Sequence, residues 1–264
     1  MNILAIDIGN TNIGLGLFLN GNQEAMESVS GDDIPQLTKT LKDLWSRVPI
    51  IELSAEGRRD AVMVASSVKP AWTQQVQTIL MKECDEKAMI IGKDVALPMP
   101  VWVDEPDKVG TDRVVSAAAA YAVAEHAVVV ADIGTAMTID LVDDNGVFQG
   151  GTILPGFELA SAALQEHTAQ LPKVAITRPE EPWGKNTQDA ITCGIYYGAI
   201  GALQKIVELY AEKIGVWPQT IITGAGAKLI KPDCQFVDNH VPHLVLMGIV
   251  LAYQKHLEEM TEMG

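Results

Sequence analysis

The chain has 264 residues, of which 48% are hydrophobic and 5% aromatic, and it sets 34 acidic side chains against 19 basic ones for a formal charge of −15. That is enough apolar chain to bury a sizeable core in one large domain or two small ones, and it excludes disorder as the main state. The acidity argues against nucleic-acid and anionic-membrane partners, and any polyanionic ligand must draw its positive potential from bound cations and backbone N–H groups.

Asn2 to Ile6 reads as a buried strand, Asp7 to Asn12 as a polar turn and Ile13 to Phe18 as a second strand, with Gly21-Asn22 marking a hairpin turn into a third. Ile34 to Arg47 has helical spacing, Asp60 to Ala65 is a short apolar strand, and Pro70 opens an amphipathic helix through Cys84. A long helical stretch, Val114 to Glu125, follows Gly110-Thr111-Asp112-Arg113.

Near Ala127 the pattern restarts. Ala127 to Ala131 is a buried strand, Asp132 to Ala136 a polar turn, Thr138 to Val142 a strand and Asp144-Asn145-Gly146 a hairpin turn. Asp132 lies 125 residues after Asp7, close to half the chain length, and strand, turn, strand and hairpin recur in the same order. These signals predict an internal duplication, with lobes over 1–122 and 123–264. Helices are expected over Phe157 to Gln170, Thr187 to Lys213 and Leu244 to Met260, with a strand at Thr220 to Ile222 and a glycine turn at Thr223 to Gly226. Arg178 to Lys185, holding two prolines, is an irregular loop.

Cys84, Cys193 and Cys234 are odd in number and far apart, which fits neither a disulfide framework nor a Cys-rich zinc site. With no signal-peptide core before Asp7 and no run of roughly 18 apolar residues, a cytoplasmic protein without membrane contact is expected.

The turn Gly9-Asn10-Thr11-Asn12 lets backbone N–H groups approach a phosphate closely, and Asp7 at its start suits a magnesium ion held through water. One Asp-Ile-Gly tetrapeptide also reads as an ordinary hairpin turn, and its repetition at Asp132 is what favours two facing phosphate loops. The Thr223–Gly226 turn is suited to admit an adenine ring. Asp112 at a helix start reads either as a cap or as a carboxylate for proton transfer from an alcohol, and Arg113 can fork onto a carboxylate or phosphate. Gly150 to Gly156 reads either as a wall close to a ligand or as a tight strand-to-helix connection. The five histidines lack metal spacing, and Arg59 and Lys69 have no context that marks them as functional.

The ordered series Asp7-Ile8-Gly9-Asn10-Thr11, Ser66-Ser67-Val68, Gly110-Thr111-Asp112-Arg113, Asp132-Ile133-Gly134-Thr135-Ala136, Gly150-Gly151 with Pro155-Gly156, Leu171-Pro172 and Gly184-Lys185-Asn186-Thr187 resembles type III pantothenate kinases over nearly the whole chain. The resemblance implies the α/β, duplicated ribonuclease-H-like, actin-like ATPase fold, a homodimer, and ATP-dependent phosphorylation of pantothenate to 4'-phosphopantothenate, the first step of coenzyme A synthesis. It implies that Asp7, Ile8, Gly9, Asn10, Thr11, Asn12, Ile13 and Gly14 form the first phosphate loop, that Thr135 contacts ATP, and that Asp132 binds K+ or NH4+ while Mg2+ accompanies ATP. Asp112 becomes the general base, Gly110, Thr111 and Arg113 join it in the substrate site, and Thr187 reaches pantothenate from the neighbouring subunit. The chain departs from its relatives at Val103-Asp104-Glu105-Pro106, where they have Tyr-Asp/Glu-Asn-Pro, at Thr111 in place of Ala, and at Ala225 in place of Gly. Two alternatives remain open at this point: a non-catalytic regulatory homologue, and a kinase of the same fold acting on a different small alcohol.

Overall fold

The computed structural model describes residues 1–51 and 57–262. They form two compact units, one from Met1–Met99, Glu105–Ala119 and the chain from Val245 onward, the other from Pro100–Asp104 and Ala120–Leu244.

The first unit is built on strands β1 (Ile3–Ile8), β2 (Asn12–Leu19), β3 (Asn22–Ser30), β4 (Val62–Ser67) and β5 (Met89–Ile90), in the order β3-β2-β1-β4-β5. β1 is antiparallel to β2 and parallel to β4, so it has strands on both sides, and its apolar run is buried on both faces. The β1–β2 pair continues into β3 through Asn20-Gly21, both with positive φ (52° and 81°), one residue earlier than the glycine spacing predicts. Helix α1 (Ile34–Ser46) begins where the Asp33 carboxylate accepts the Gln36 N–H at 3.0 Å. It buries Leu37, Leu41, Leu44 and Trp45 against β1 and β2 residues such as Ile6 and Leu15. Losing one such leucine to alanine costs about 2–5 kcal/mol. Helix α2 (Pro70–Cys84) adds Trp72, Val76 and Leu80 to the same core, and helix α3 (Thr111–Ala124) follows β5.

The second unit repeats this plan with β6 (Val128–Ile133), β7 (Ala136–Val142), β8 (Phe148–Pro155), β9 (Gln219–Thr223) and β10 (Asn239–His240), in the order β10-β9-β6-β7-β8. β6 is antiparallel to β7 and parallel to β9, as β1 is to β2 and β4. The two sheets therefore match strand for strand, and the duplication read from the motifs is a duplication of the fold. Helices α4 (Phe157–Glu166), α5 (Thr187–Ile214) and α6 (Ala227–Ile230) belong to this unit. α5 has the length and composition of a membrane-crossing helix, but Tyr196, Leu203 and Val207 lie in the unit's core beside Ile139 and Ile222.

Several sequence expectations shift. Asp7 and Ile8 lie inside β1, and Asp132 and Ile133 inside β6, so the turns shrink to Gly9–Thr11 and Gly134–Thr135. Gly150 to Pro155 are strand residues of β8 paired with β7, which leaves Gly156 alone as the link to α4. α4 stops at Glu166, short of Gln170. The final helix, α7 (Leu244–Glu262), sends Leu246, Ile249 and Tyr253 into a cluster with Ile3, Ala5 and Phe18 of the first sheet. Gly248 is what lets α7 approach α3 so closely, because a Cβ there would sit 2.0 Å from the Val115 carbonyl oxygen.

Candidate active site

In the first unit, Gly9 N donates to the Asn12 carbonyl at 3.1 Å and closes the turn after β1. Ile8 and Ile13 are each only 1% exposed, so they, like Gly9 and Gly14, can offer a ligand only main chain, whereas Asn10, Thr11 and Asn12 are exposed. Asp7 pairs across the sheet with Gly14, and a Cβ on Gly14 would come within 3.9 Å of Asp7 Oδ2. The half-buried carboxylate thus borders a strand position without a side chain. The turn is tied down from behind by Val68 N to Ile8 O and Gly31 N to Thr11 O, both 3.1 Å. Lys69 also reaches it, a placement that its sequence surroundings did not signal.

The same unit holds Gly110–Arg113. Asp112 is the second residue of α3, and its Oδ1 accepts the Arg113 N–H at 2.8 Å. Gly110 is required by this arrangement, since a Cβ there would lie 2.5 Å from Asp112 Oδ1. Burial pushes the Asp112 carboxyl above the usual carboxylate range, against a partial downward pull from the Arg113 N–H and guanidinium. The Thr111 hydroxyl lies 2.8 Å from Ser66 Oγ and accepts from Ser67 N at 3.3 Å. Ser66 is fully buried and sits opposite Asp7 in the parallel β1–β4 pair, so the Thr111 departure has a structural partner: it links the start of α3 to the strand beside Asp7.

In the second unit, Asp132 and Thr135 are brought together with glycines from two other segments. Gly134 N donates to Ala136 O and Gly156 N to Thr135 O, both at 3.0 Å, and Gly226 N donates to Ile133 O at 2.9 Å. A Cβ on Gly156 would fall 2.1 Å from Gly134 O, and one on Gly224 would fall 2.2 Å from Asp132 Oδ1. Gly224 also has φ +87°, so its place is closed to other residues on two counts. Ala225, by contrast, is exposed and outside the positive-φ set, so its departure from Gly asks nothing of the backbone.

Thr187 is the first, exposed residue of α5, after Asn186, whose Oδ1 accepts the Asp189 N–H at 2.9 Å. Gly184 backs directly onto this turn, since a Cβ there would meet Ala190 N at 2.0 Å. The loop before it is clamped by a group that no motif announced: Arg178 forks onto Asp233 at 2.8 and 2.6 Å, and the buried Tyr196 hydroxyl donates to Asp233 Oδ2 at 2.5 Å. Val103 follows a segment bridged to β8, with Trp102 N on Phe148 O at 2.8 Å, and its Cγ1 stands beside Gly150. Among the described residues no group of three or more His, Cys, Asp or Glu side chains gathers as a metal cage.

A model of the family described as type III pantothenate kinase matches residues 3–209. Two type III pantothenate kinases are similar over almost their full length: that of Moorella thermoacetica is 33% identical over 254 residues, covering 96% of this chain and 99% of the relative. That of Salinispora arenicola is 33% identical over 262 residues, covering 97% and 100%. Among solved structures, a Campylobacter jejuni protein assigned to the Baf family of transcriptional activators aligns with TM-score 0.59 at 17% identity over 98% of this chain and 99% of that one. Component A of the (R)-2-hydroxyglutaryl-CoA dehydratase of Acidaminococcus fermentans aligns with TM-score 0.55 at 13% identity over 97% and 99%. With the matching sheets, these likenesses identify the duplicated ribonuclease-H-like fold of the actin-like ATPases.

Proposed function

Because the chain belongs to the type III pantothenate kinase family, we propose that it phosphorylates pantothenate with ATP, the first step of coenzyme A synthesis, with Asp112 as general base. The observation that carries this reading is the family match running through the segment where Gly110 and the Arg113 N–H hold the Asp112 carboxylate. A carboxylate whose burial raises its proton affinity is suited to accept a proton from an alcohol as the hydroxyl oxygen bonds to the γ-phosphorus and ADP leaves. Gly110, Thr111 and Arg113 surround the acceptor, and the main chain of residues 7–14, with Thr135, contacts ATP.

Magnesium arrives with ATP and neutralises charge on the transferring group. A single half-buried carboxylate, Asp7, beside a glycine-lined strand fits a magnesium ion that keeps most of its water and phosphate ligands. Asp132 is our choice for the monovalent cation, K+ or NH4+, since a carboxylate is a hard oxygen donor and the Ile133 carbonyl oxygen also faces the Gly224 position that its Oδ1 abuts.

The working form is a homodimer in which Thr187 reaches the neighbouring subunit's pantothenate. Supporting this, Gly194, Gly198 and Gly201 lie on one face of α5 with open space at each Cβ position, next to exposed Tyr197 and Leu209. The enzyme works in the cytoplasm without membrane or nucleic-acid partners, in keeping with its charge of −15. Val103, where the family resemblance implies Tyr, favours one further reading, a kinase for another small alcohol. A panel of pantothenate and related polyols, assayed with MgATP and potassium, separates the two. Turnover confined to other alcohols would overturn pantothenate as the substrate.

A further inference from the structure

Lys69 has no motif around it, but the fold gives it a place. β4 runs parallel to β1, so the chain leaving β4 passes beside the turn that follows β1. There the Lys69 ammonium donates to the Asn10 carbonyl at 3.0 Å and lies over the Trp72 ring, 3.1 Å from its centroid.

This perch is packed and hydrogen-bonded in place. Trp72 is buried, and its ring fills the space that a Cβ on Gly31 would need, 1.9 Å from Cζ3. Gly31 in turn is bonded to Thr11 of the same turn. The Lys69 main chain is fixed as well: its N–H donates to Ser67 Oγ at 3.3 Å, and its carbonyl accepts from Trp72 N and Thr73 N at 3.0 Å each.

Both side-chain partners are neutral, and among the described residues no carboxylate forms an ion pair with Lys69. An ammonium has three N–H donors, and an ordered cation without a counter-charge is what a polyphosphate site lacks in a chain of charge −15.

We propose that Lys69 is the phosphate-binding cation of the first loop, giving an N–H to the ATP polyphosphate while Trp72 and Asn10 hold its side chain in position. The proposal rests on the reading of the Gly9–Thr11 turn as a phosphate loop. It predicts recognition of the nucleotide's charge and not of its base or of the acceptor.

The test is calorimetric titration of wild type, Lys69→Met and Lys69→Arg with MgATP, MgADP and adenosine, beside steady-state kinetics. Lys69→Met should bind MgATP about tenfold more weakly, as expected for one charge-assisted hydrogen bond, bind MgADP less weakly affected, and leave adenosine and the KM for pantothenate unchanged. Lys69→Arg should keep most of the MgATP affinity, and the wild type should lose affinity with added salt more steeply than Lys69→Met. Should Lys69→Met melt early, Lys69→Gln takes its place. Unchanged MgATP affinity in the uncharged variant, or equal loss of MgATP and adenosine, overturns the proposal. A wild type that binds MgATP through Lys69 yet makes no phosphopantothenate would sink the pantothenate reading and leave Lys69 standing; one that binds no nucleotide would sink both.

Discussion

Asp7 and Asp132 hold the same station in their sheets: each is the next-to-last residue of a central strand, opposite Ser66 and Thr223 in the neighbouring parallel strand. Their surroundings then diverge. The turn after Asp7 has three residues between strands and that after Asp132 has two, and Asp7 borders Gly14 while Asp132 is abutted by Gly224. A duplicated frame thus sets two carboxylates at the same station in different surroundings.

Gly224→Ala should be far more damaging than Ala225→Gly. The first combines a positive φ with a Cβ pressed onto Asp132 and should cost roughly 1–3 kcal/mol, read as a lowered Tm, and blunt any activation by potassium. The second alters an exposed residue and should leave Tm and activity near wild type. Equal behaviour of the two variants would remove the special place given to Gly224.

Thr111→Ala installs the residue that the family resemblance implies at this position, yet it should destabilise this protein. It deprives the fully buried Ser66 hydroxyl of its 2.8 Å partner, a loss of about 1–2 kcal/mol measurable by denaturant unfolding. A Ser66→Ala, Thr111→Ala double variant should recover part of that loss, because both polar groups then leave together.

The Arg178–Asp233–Tyr196 clamp predicts a specific acid response. The Arg178 hydrogen bond, with that of Tyr196, holds the Asp233 carboxyl at about 2, below its ordinary 3.8. A carboxyl with a depressed folded pKa stabilises the fold above its unfolded value, and the contribution disappears as pH falls from about 4 towards 2. Asp233→Asn should therefore be less stable than wild type at neutral pH, with the gap closing across that window; a gap that stays constant with pH would deny the clamp its charge.

Asp112 works in the opposite sense. Burial raises its pKa, so the fold favours its neutral form: that stabilisation is complete at low pH and is lost as pH rises through the folded pKa. Asp112→Asn should melt at or above the wild-type temperature at neutral pH. The wild-type kcat/KM should begin to fall on the acid side at a pH above the ordinary carboxylate range.

The repeated strand order was legible because each half opens with a continuous apolar run, a short polar step and a glycine hairpin, signals that are local in sequence. The limits of the turns were not. Asp7 and Asp132 look like turn residues until their strands' ends are set by pairing with Ser66 and Thr223, which lie far along the chain. Lys69 was opaque for the same reason, since Asn10, its hydrogen-bond partner, is 59 residues away. α7 was legible as an apolar helix, but which sheet it covers depends on Gly248 meeting α3 and on Leu246 and Ile249 meeting Ile3 and Phe18, none of which its own periodicity records. Asp112 stood out by its motif, while the steric need for Gly110 beside its carboxylate emerged only in three dimensions.

The most direct measurement is mass-spectrometric detection of phosphopantothenate from pantothenate, MgATP and potassium, made side by side with wild type and Asp112→Asn. Wild type should yield product at the expense of ATP, and Asp112→Asn should be slower by about 10²–10⁴-fold while binding MgATP as tightly. Product formed equally fast by both proteins, or by neither in preparations that are folded and bind ATP, would contradict the account.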